Sequence, residues 1–168
     1  MCSDAAGVHM ARARPYARAL QGTRAHATTP CHTGQHLTML GALALEGLTA
    51  SMTLAGSTDT DLLWTDGQAI WCPCLRPGQV VMLDHLKPHQ ADEGRQAIEA
   101  VDAKIDYLPP DAPEFSPIEA CWSKVNALIR AHAARTYEAF DSAMIQAFKA
   151  MTCHDVQGWF SHGGYVAQ

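Results

Sequence analysis

An α/β sheet of mixed strand direction, covered by helices, is the architecture this sequence predicts. Three observations carry it. Two apolar segments in the first third are separated by a single turn; short apolar runs alternate with helical stretches from residue 79 onward; and the C-terminal third reads as consecutive helices. At 168 residues the whole chain, 1–168, fits one domain with a real core.

The elements follow in order. Met1 to Ser3 reads as the stub of a strand ending in Asp4, with Ala5-Ala6-Gly7 turning the chain out of it. A strand so short has little left to pair, so the start of the fold is expected to be weak. Residues 36–45 are apolar and bounded by Gly34 and Gly47, and 48–54 continue after the turn, which predicts a hairpin. Residues 59–74 suit a helix closed by Pro73 and Pro77, although Gly67 weakens it. Residues 79–83 form a continuous apolar run after Pro77-Gly78, as in a strand buried on both faces, and Asp84 stands at its end. A helix over 91–101, a strand over 104–108, a helix from Pro117 to about Ala134, and two helices over 137–152 and 155–160 complete the chain. Ligands of such sheets collect at the carboxyl ends of strands, where this reading puts Asp4 and Asp84.

Composition narrows the function. No run of 18 apolar residues and no basic-then-apolar leader is present, so a soluble, cytoplasmic protein with no membrane partner is expected. The six cysteines are irregularly spaced and are expected to be reduced. Cys72-Pro73-Cys74 has no histidine at finger spacing, which leaves a Cys/His zinc module as a minor alternative. The net charge of -5 argues against a whole-chain electrostatic footprint for nucleic acid. Positive charge is local instead: Arg12, Arg14, Arg18 and Arg24 early, then Lys124, Arg130 and Arg135 after Glu119. Solvated basic faces account for them by themselves; beside a carboxylate site they become candidate phosphate contacts.

Two acids draw attention. Asp84 directly follows Val80-Val81-Met82-Leu83, a costly place for a carboxylate unless it is hydrogen-bonded, paired or bound to a cation, with a turn through His85 and Pro88 as the simpler reading. Glu119 follows with 34 residues between them, in Ser116-Pro117-Ile118-Glu119. That window is a capping box with proline at N1, which would explain Glu119 without any chemistry. The helical wheel adds another possibility. Ile118, Cys121, Trp122, Val125, Leu128 and Ile129 define a buried stripe, and Glu119, Ser123, Asn126 and Arg130 form a polar stripe beside it. A carboxylate there can point across a sheet edge towards Asp84. Asp4 alone is uninformative, since an Asp before Ala-Ala-Gly can simply shape a turn.

Taken in order, these segments resemble the catalytic domain of DDE transposases of the mariner-type superfamily, in particular the bacterial insertion-sequence branch. Asp4-Ala5-Ala6-Gly7-Val8 is similar to the first-aspartate segment, and Arg14-Pro15-Tyr16-Ala17-Arg18-Ala19 with Gly22 and Arg24 to the arginine-rich turn after it. Val81-Met82-Leu83-Asp84-His85-Leu86-Lys87-Pro88-His89 resembles the second-aspartate strand and loop. Leu108 to Glu119 with Trp122-Ser123-Lys124 resembles the third-acid motif, and Trp159-Phe160-Ser161-His162-Gly163-Gly164-Tyr165 the C-terminal end. The spacing between the second and third acids is also the family's.

The resemblance implies a ribonuclease-H-like mixed sheet flanked by helices. It also implies a site of Asp4, Asp84 and Glu119 that holds two Mg2+ ions, or Mn2+, since hard oxygen ligands suit both. The implied activity is DNA strand cleavage and strand transfer on transposon ends and target DNA, in a homodimer. Arg12, Arg14, Arg18, Lys124 and Arg130 would contact phosphates without reading sequence. The chain departs from the pattern at Ala5, His85, Asp111 and Ser116, where the family usually has Glu, Asn, an aromatic and Asn. No helix-turn-helix region precedes Asp4, so the resemblance implies a truncated copy. The competing expectation is therefore an inactive remnant that folds or oligomerises without cutting DNA.

Overall fold

Alternating small and apolar residues build the central strand. In the computed structural model, which describes residues 1–9, 16–26, 36–56, 72–83, 92–110, 112–134 and 136–165, five strands form one sheet. They are β1 (Cys2–His9), β2 (His36–Ala44), β3 (Gly47–Ala55), β4 (Val80–Leu83) and β5 (Lys104–Tyr107), ordered β3-β2-β1-β4-β5. β1 runs antiparallel to β2 and parallel to β4; β2 and β3 are antiparallel, and β4 and β5 parallel. The sheet is therefore mixed, as the sequence predicts.

β1 departs from expectation. It does not end at Asp4 but continues through Ala5, Ala6 and Gly7, each residue from Cys2 to His9 standing opposite one of β2. Gly7 has no positive φ, so nothing in Ala5-Ala6-Gly7 demands a turn, and pairing with the long β2 overrides local turn preference. The start of the strand is also held from its other edge. The Met1 ammonium donates to the Val80 carbonyl at 2.7 Å, and the Met82 amide donates to the Met1 carbonyl at 2.8 Å. Asp4 thus lies inside a paired strand rather than at its end.

The hairpin forms where the sequence places it. A two-residue turn, Leu45-Glu46, joins β2 to β3, and Gly47 follows at φ 138, a conformation only glycine adopts readily. The helix expected over 59–74 falls mostly outside the described residues; its last residues, Cys72–Cys74, form a 3-10 turn. The remaining helices are α1 (Asp92–Glu99), α2 (Pro117–His132), α3 (Tyr137–Lys149) and α4 (Cys153–His162). A 3-10 turn over Pro113–Phe115, not anticipated from the sequence, leads into α2.

Helices cover both faces of the sheet. On one face, Ile118, Cys121, Trp122 and Val125 of α2 pack with Cys2 and Val8 of β1 and with Leu37, Met39 and Leu43 of β2, while α3 and α4 add Phe140 and Phe160. The other face carries smaller side chains, Ala42, Val81 and Leu83, against Ile98 of α1. Burial pushes the Cys121 thiol up to about 12, and it lies 3.1 Å from the Met151 sulfur, so it is protonated core rather than a reactive group. Cys2, Cys74, Cys121 and Cys153 are free thiols. Among the described residues no helix is long and apolar enough to cross a membrane.

Candidate active site

Asp4 is buried, on the face of β1 that α2 covers. Strand alternation puts it with Cys2, Ala6 and Val8, all packed in the larger core. Its partner across the ladder, Gly41, supplies independent support. A Cβ built on Gly41 would stand 2.6 Å and 2.9 Å from the ring atoms Cη2 and Cζ2 of Trp122. Glycine at 41 is what lets the Trp122 ring lie on the sheet beside the Asp4 position.

Glu119 stands in the first turn of α2, with Ser116 as N-cap and Pro117 at N1, as the sequence predicts. The capping box does not form. The Ser116 hydroxyl accepts no helix amide; it lies 3.4 Å from the Cys2 sulfur instead, while the Ser116 amide donates to the Pro113 carbonyl at 2.9 Å. The 3-10 turn and the contact with β1 orient Ser116 away from its local role. Glu119 reaches the cap only through its backbone, its amide donating to the Ser116 carbonyl at 3.1 Å, and its side chain is exposed. The carboxylate is left for other work.

Asp84 lies outside the described residues. What the structure describes is its predecessor in the chain, Leu83, the last residue of β4, and the parallel register Cys2↔Met82 that sets the C-terminal end of β4 beside the Asp4 stretch of β1. Cys2 is the common neighbour: it opposes Met82, touches Ser116 and sits two residues before Asp4. Burial raises its thiol, the hydrogen bonds with Ser116 and Ile118 work in the opposite sense, and the charge of Asp4 raises it further. Two of the three predicted acids are therefore placed by elements that meet at one residue.

The basic candidates are less uniform. Arg12 and Arg14 lie outside the described residues. Arg18 is exposed in the segment 16–26, which has neither helix nor strand. Arg130 is half-buried on α2, three turns from Glu119 and about 16 Å along the helix axis. Lys124 is engaged within the fold. Its ammonium is 2.6 Å from the Asp155 carboxylate and donates to the Ala150 carbonyl at 3.2 Å, so a phosphate would have to displace that pair. Among the described residues no group of three His, Cys, Asp or Glu side chains could hold a metal ion, and the four described thiols are dispersed between core and surface. Sequence reasoning missed the Cys2–Ser116 contact and the role of Gly41, for which the composition offers no local signal.

Residues 1–141 match the family model for the DDE superfamily endonuclease. The chain belongs to that family. No curated protein matches the sequence significantly. Among solved structures, the Mos1 transposase paired-end complex with left transposon end is similar at TM-score 0.75 and 13% identity, covering 99% of this chain and 56% of that one. The Mos1 strand transfer complex is similar at TM-score 0.73 and 14% identity, covering 95% and 50%. The catalytic domain of Mos1 mariner transposase is similar at TM-score 0.57 and 12% identity, covering 99% and 83%. Mos1 paired-end complexes with Mg and with Mn match as well. At these identities the likeness is one of fold, ribonuclease-H-like, and this DDE family chain spans about half the length of the transposase chains in the complexes.

Proposed function

We propose that this chain carries a divalent-metal centre for DNA strand cleavage and strand transfer in transposition, with Asp4, Asp84 and Glu119 as its carboxylates. The observation that carries the reading is the pairing of a buried acid on the central strand with an acid left unbound by its own helix cap, their elements joined at Cys2 and Ser116. An all-oxygen donor set of this kind suits Mg2+ or Mn2+. Asp4, Asp84 and Glu119 would hold the two cations, whose chemistry there would be Lewis-acid activation of the attacking oxygen and charge stabilisation of the leaving one.

Asp4, held in a fully paired strand, supplies a rigid ligand. Asp84 follows β4, whose parallel pairing with β1 supports its approach to Asp4. Glu119 closes the set from the helix. Water attacks a phosphodiester at the element end, releasing a 3′-hydroxyl that then attacks target DNA, and no covalent enzyme intermediate is required. Of the candidate cations, Arg18 and Arg130 have no ion pair among the described residues to give up, and with Arg12 and Arg14 they are proposed phosphate contacts; Lys124 joins them only by releasing Asp155. Two copies, one per element end, fit the paired-end complexes of the structurally similar transposase.

A nicking assay on labelled duplex, with and without Mg2+ or Mn2+, tests the proposal. Cleavage should require the cation and disappear in Asp84→Asn with the fold retained. Unchanged cleavage by Asp84→Asn would sink the mechanism, and no cation-dependent cleavage by folded wild-type protein would establish the inactive remnant. DNA binding should be weak, indifferent to sequence and steeply lost with salt. Tight binding to one sequence would contradict that expectation.

A further inference from the structure

The Trp159-Phe160-Ser161-His162-Gly163-Gly164-Tyr165 segment has no part in the chemistry proposed above, yet its last residue reaches the 3-10 turn that leads into the helix carrying Glu119. The Tyr165 hydroxyl donates to the Phe115 carbonyl at 2.8 Å, across 50 residues of sequence. Several features aim that hydroxyl. The α4 helix ends at Gly163, Gly164 takes φ 86, and the Tyr165 amide folds back to the Phe160 carbonyl at 2.9 Å. The Tyr165 ring then packs edge-on to Phe160, with centroids 6.0 Å apart. A Cβ on buried Gly163 would stand 3.0 Å and 3.2 Å from the Tyr165 ring and 3.4 Å from the Phe115 carbonyl oxygen, so glycine there keeps the approach open.

From Phe115 the path to Glu119 is short. Phe115 closes the 3-10 turn, Ser116 is the next residue and the N-cap of α2, and the Ser116 carbonyl accepts the Glu119 amide at 3.1 Å. The opposite side of Ser116 meets Cys2 of the Asp4 strand at 3.4 Å. With no side-chain cap of its own, the first turn of α2 is held by the buried Ile118 and by these two contacts just before it, one from β1 and one from the C-terminal segment. We infer that Tyr165 is a positioning residue for Glu119: its hydrogen bond to Phe115 fixes the 3-10 turn and thereby the distance of the Glu119 carboxylate from the Asp4 strand. Burial, first, and then the charges of Cys2 and Asp106 raise the Tyr165 phenol, so the hydroxyl remains a donor at neutral pH. The inference rests on the reading of Glu119 as a metal-binding carboxylate.

The test uses the 168-residue chain as wild type, Tyr165→Phe, Gly163→Ala, Glu119→Gln and the double variant Tyr165→Phe/Glu119→Gln, with two readouts besides cleavage. Backbone hydrogen exchange over residues 112–119 reports the turn. Loss of one net hydrogen bond predicts exchange about threefold to tenfold faster in Tyr165→Phe, with Gly163→Ala, which pushes the ring aside, moving the same way. Titration calorimetry with Mn2+ alone reports the site. Tyr165→Phe should weaken Mn2+ binding severalfold in the wild-type background and add nothing in the Glu119→Gln background, because there is then no carboxylate to position. Unchanged exchange in Tyr165→Phe overturns the anchoring of the turn. Faster exchange with unchanged Mn2+ binding, or an equal loss in both backgrounds, overturns the positioning role while Glu119→Gln still reports the site. Unchanged Mn2+ binding in Glu119→Gln itself overturns the metal reading of Glu119, and the positioning role with it.

Discussion

Two of the described helices carry an acid three residues after a hydroxyl-bearing N-cap, and the two acids are used differently. At α4, Thr152 and Asp155 form a complete capping box: the Thr152 hydroxyl accepts the Asp155 amide at 3.2 Å, and the Asp155 carboxylate accepts the Thr152 amide at 2.9 Å and the Lys124 ammonium at 2.6 Å. At α2, the sequence Ser-Pro-Ile-Glu promises the same box, yet Ser116 turns to Cys2 and the Glu119 carboxylate takes no part. One acid is consumed in holding the fold; the other is left exposed beside the strand of a buried Asp. A capping motif therefore does not tell a structural carboxylate from a functional one. What separates them is whether the cap serine is claimed by another element.

The largest effect should come from breaking the α2 side of this contrast. Glu119→Gln should reduce cation-dependent nicking to background while leaving stability within about 0.5 kcal/mol, as for an ordinary exposed position. A denaturation midpoint that falls with activity would show that Glu119 is structural after all. Gly41→Ala comes next. Its Cβ would collide with the Trp122 ring, and overpacking of this kind costs about 1–3 kcal/mol, measurable by urea unfolding. Unchanged stability would mean that α2 can shift freely over β1.

A subtler pair of variants compares the two caps directly. Thr152→Ala should cost about 1 kcal/mol, the usual loss of a working cap, whereas Ser116→Ala should cost only a few tenths. Equal losses would indicate that Ser116 does cap α2 in solution. The smallest expected effect is on acid behaviour. Hydrogen bonding to Lys124, then to Thr152, holds the Asp155 carboxyl well below its usual range. A lowered folded value means a contribution present above the unfolded value, about 3.9, and lost as pH falls below it. Protection of α4 amides, taken against the intrinsic exchange rate at each pH, should therefore fall below about pH 4, and Lys124→Met should shrink that dependence. An α4 whose protection has no acid dependence would show that the pair contributes nothing.

The fold was largely legible because periodicity reports burial. The β2–β3 hairpin, the apolar β4 and the α2, α3 and α4 helices all lie where their spacing puts them, and the α2 stripe of Ile118, Cys121, Trp122 and Val125 is buried as drawn. β1 was misread because Ala-Ala-Gly has weak local preference, so its extent depends on β2, a partner more than 25 residues away. Of the site, sequence singled out Asp4 and Glu119 as residues but not their standing: one was expected at a strand end and lies within a strand, and the other, for which a capping box was the simpler alternative, takes no part in a cap.

By itself, the sequence determined which residues are apolar, at what period they recur, and which acids stand in a family's order, because these are properties of local chain geometry and chemistry. Tertiary structure decided what the acids are free to do. Whether Ser116 caps a helix or meets Cys2, whether Trp122 can lie over Gly41 beside Asp4, and whether Tyr165 reaches Phe115 all depend on elements distant in sequence coming within a few ångströms. Hydrogen bonds and close packing act only at such distances, so no local pattern could reveal them.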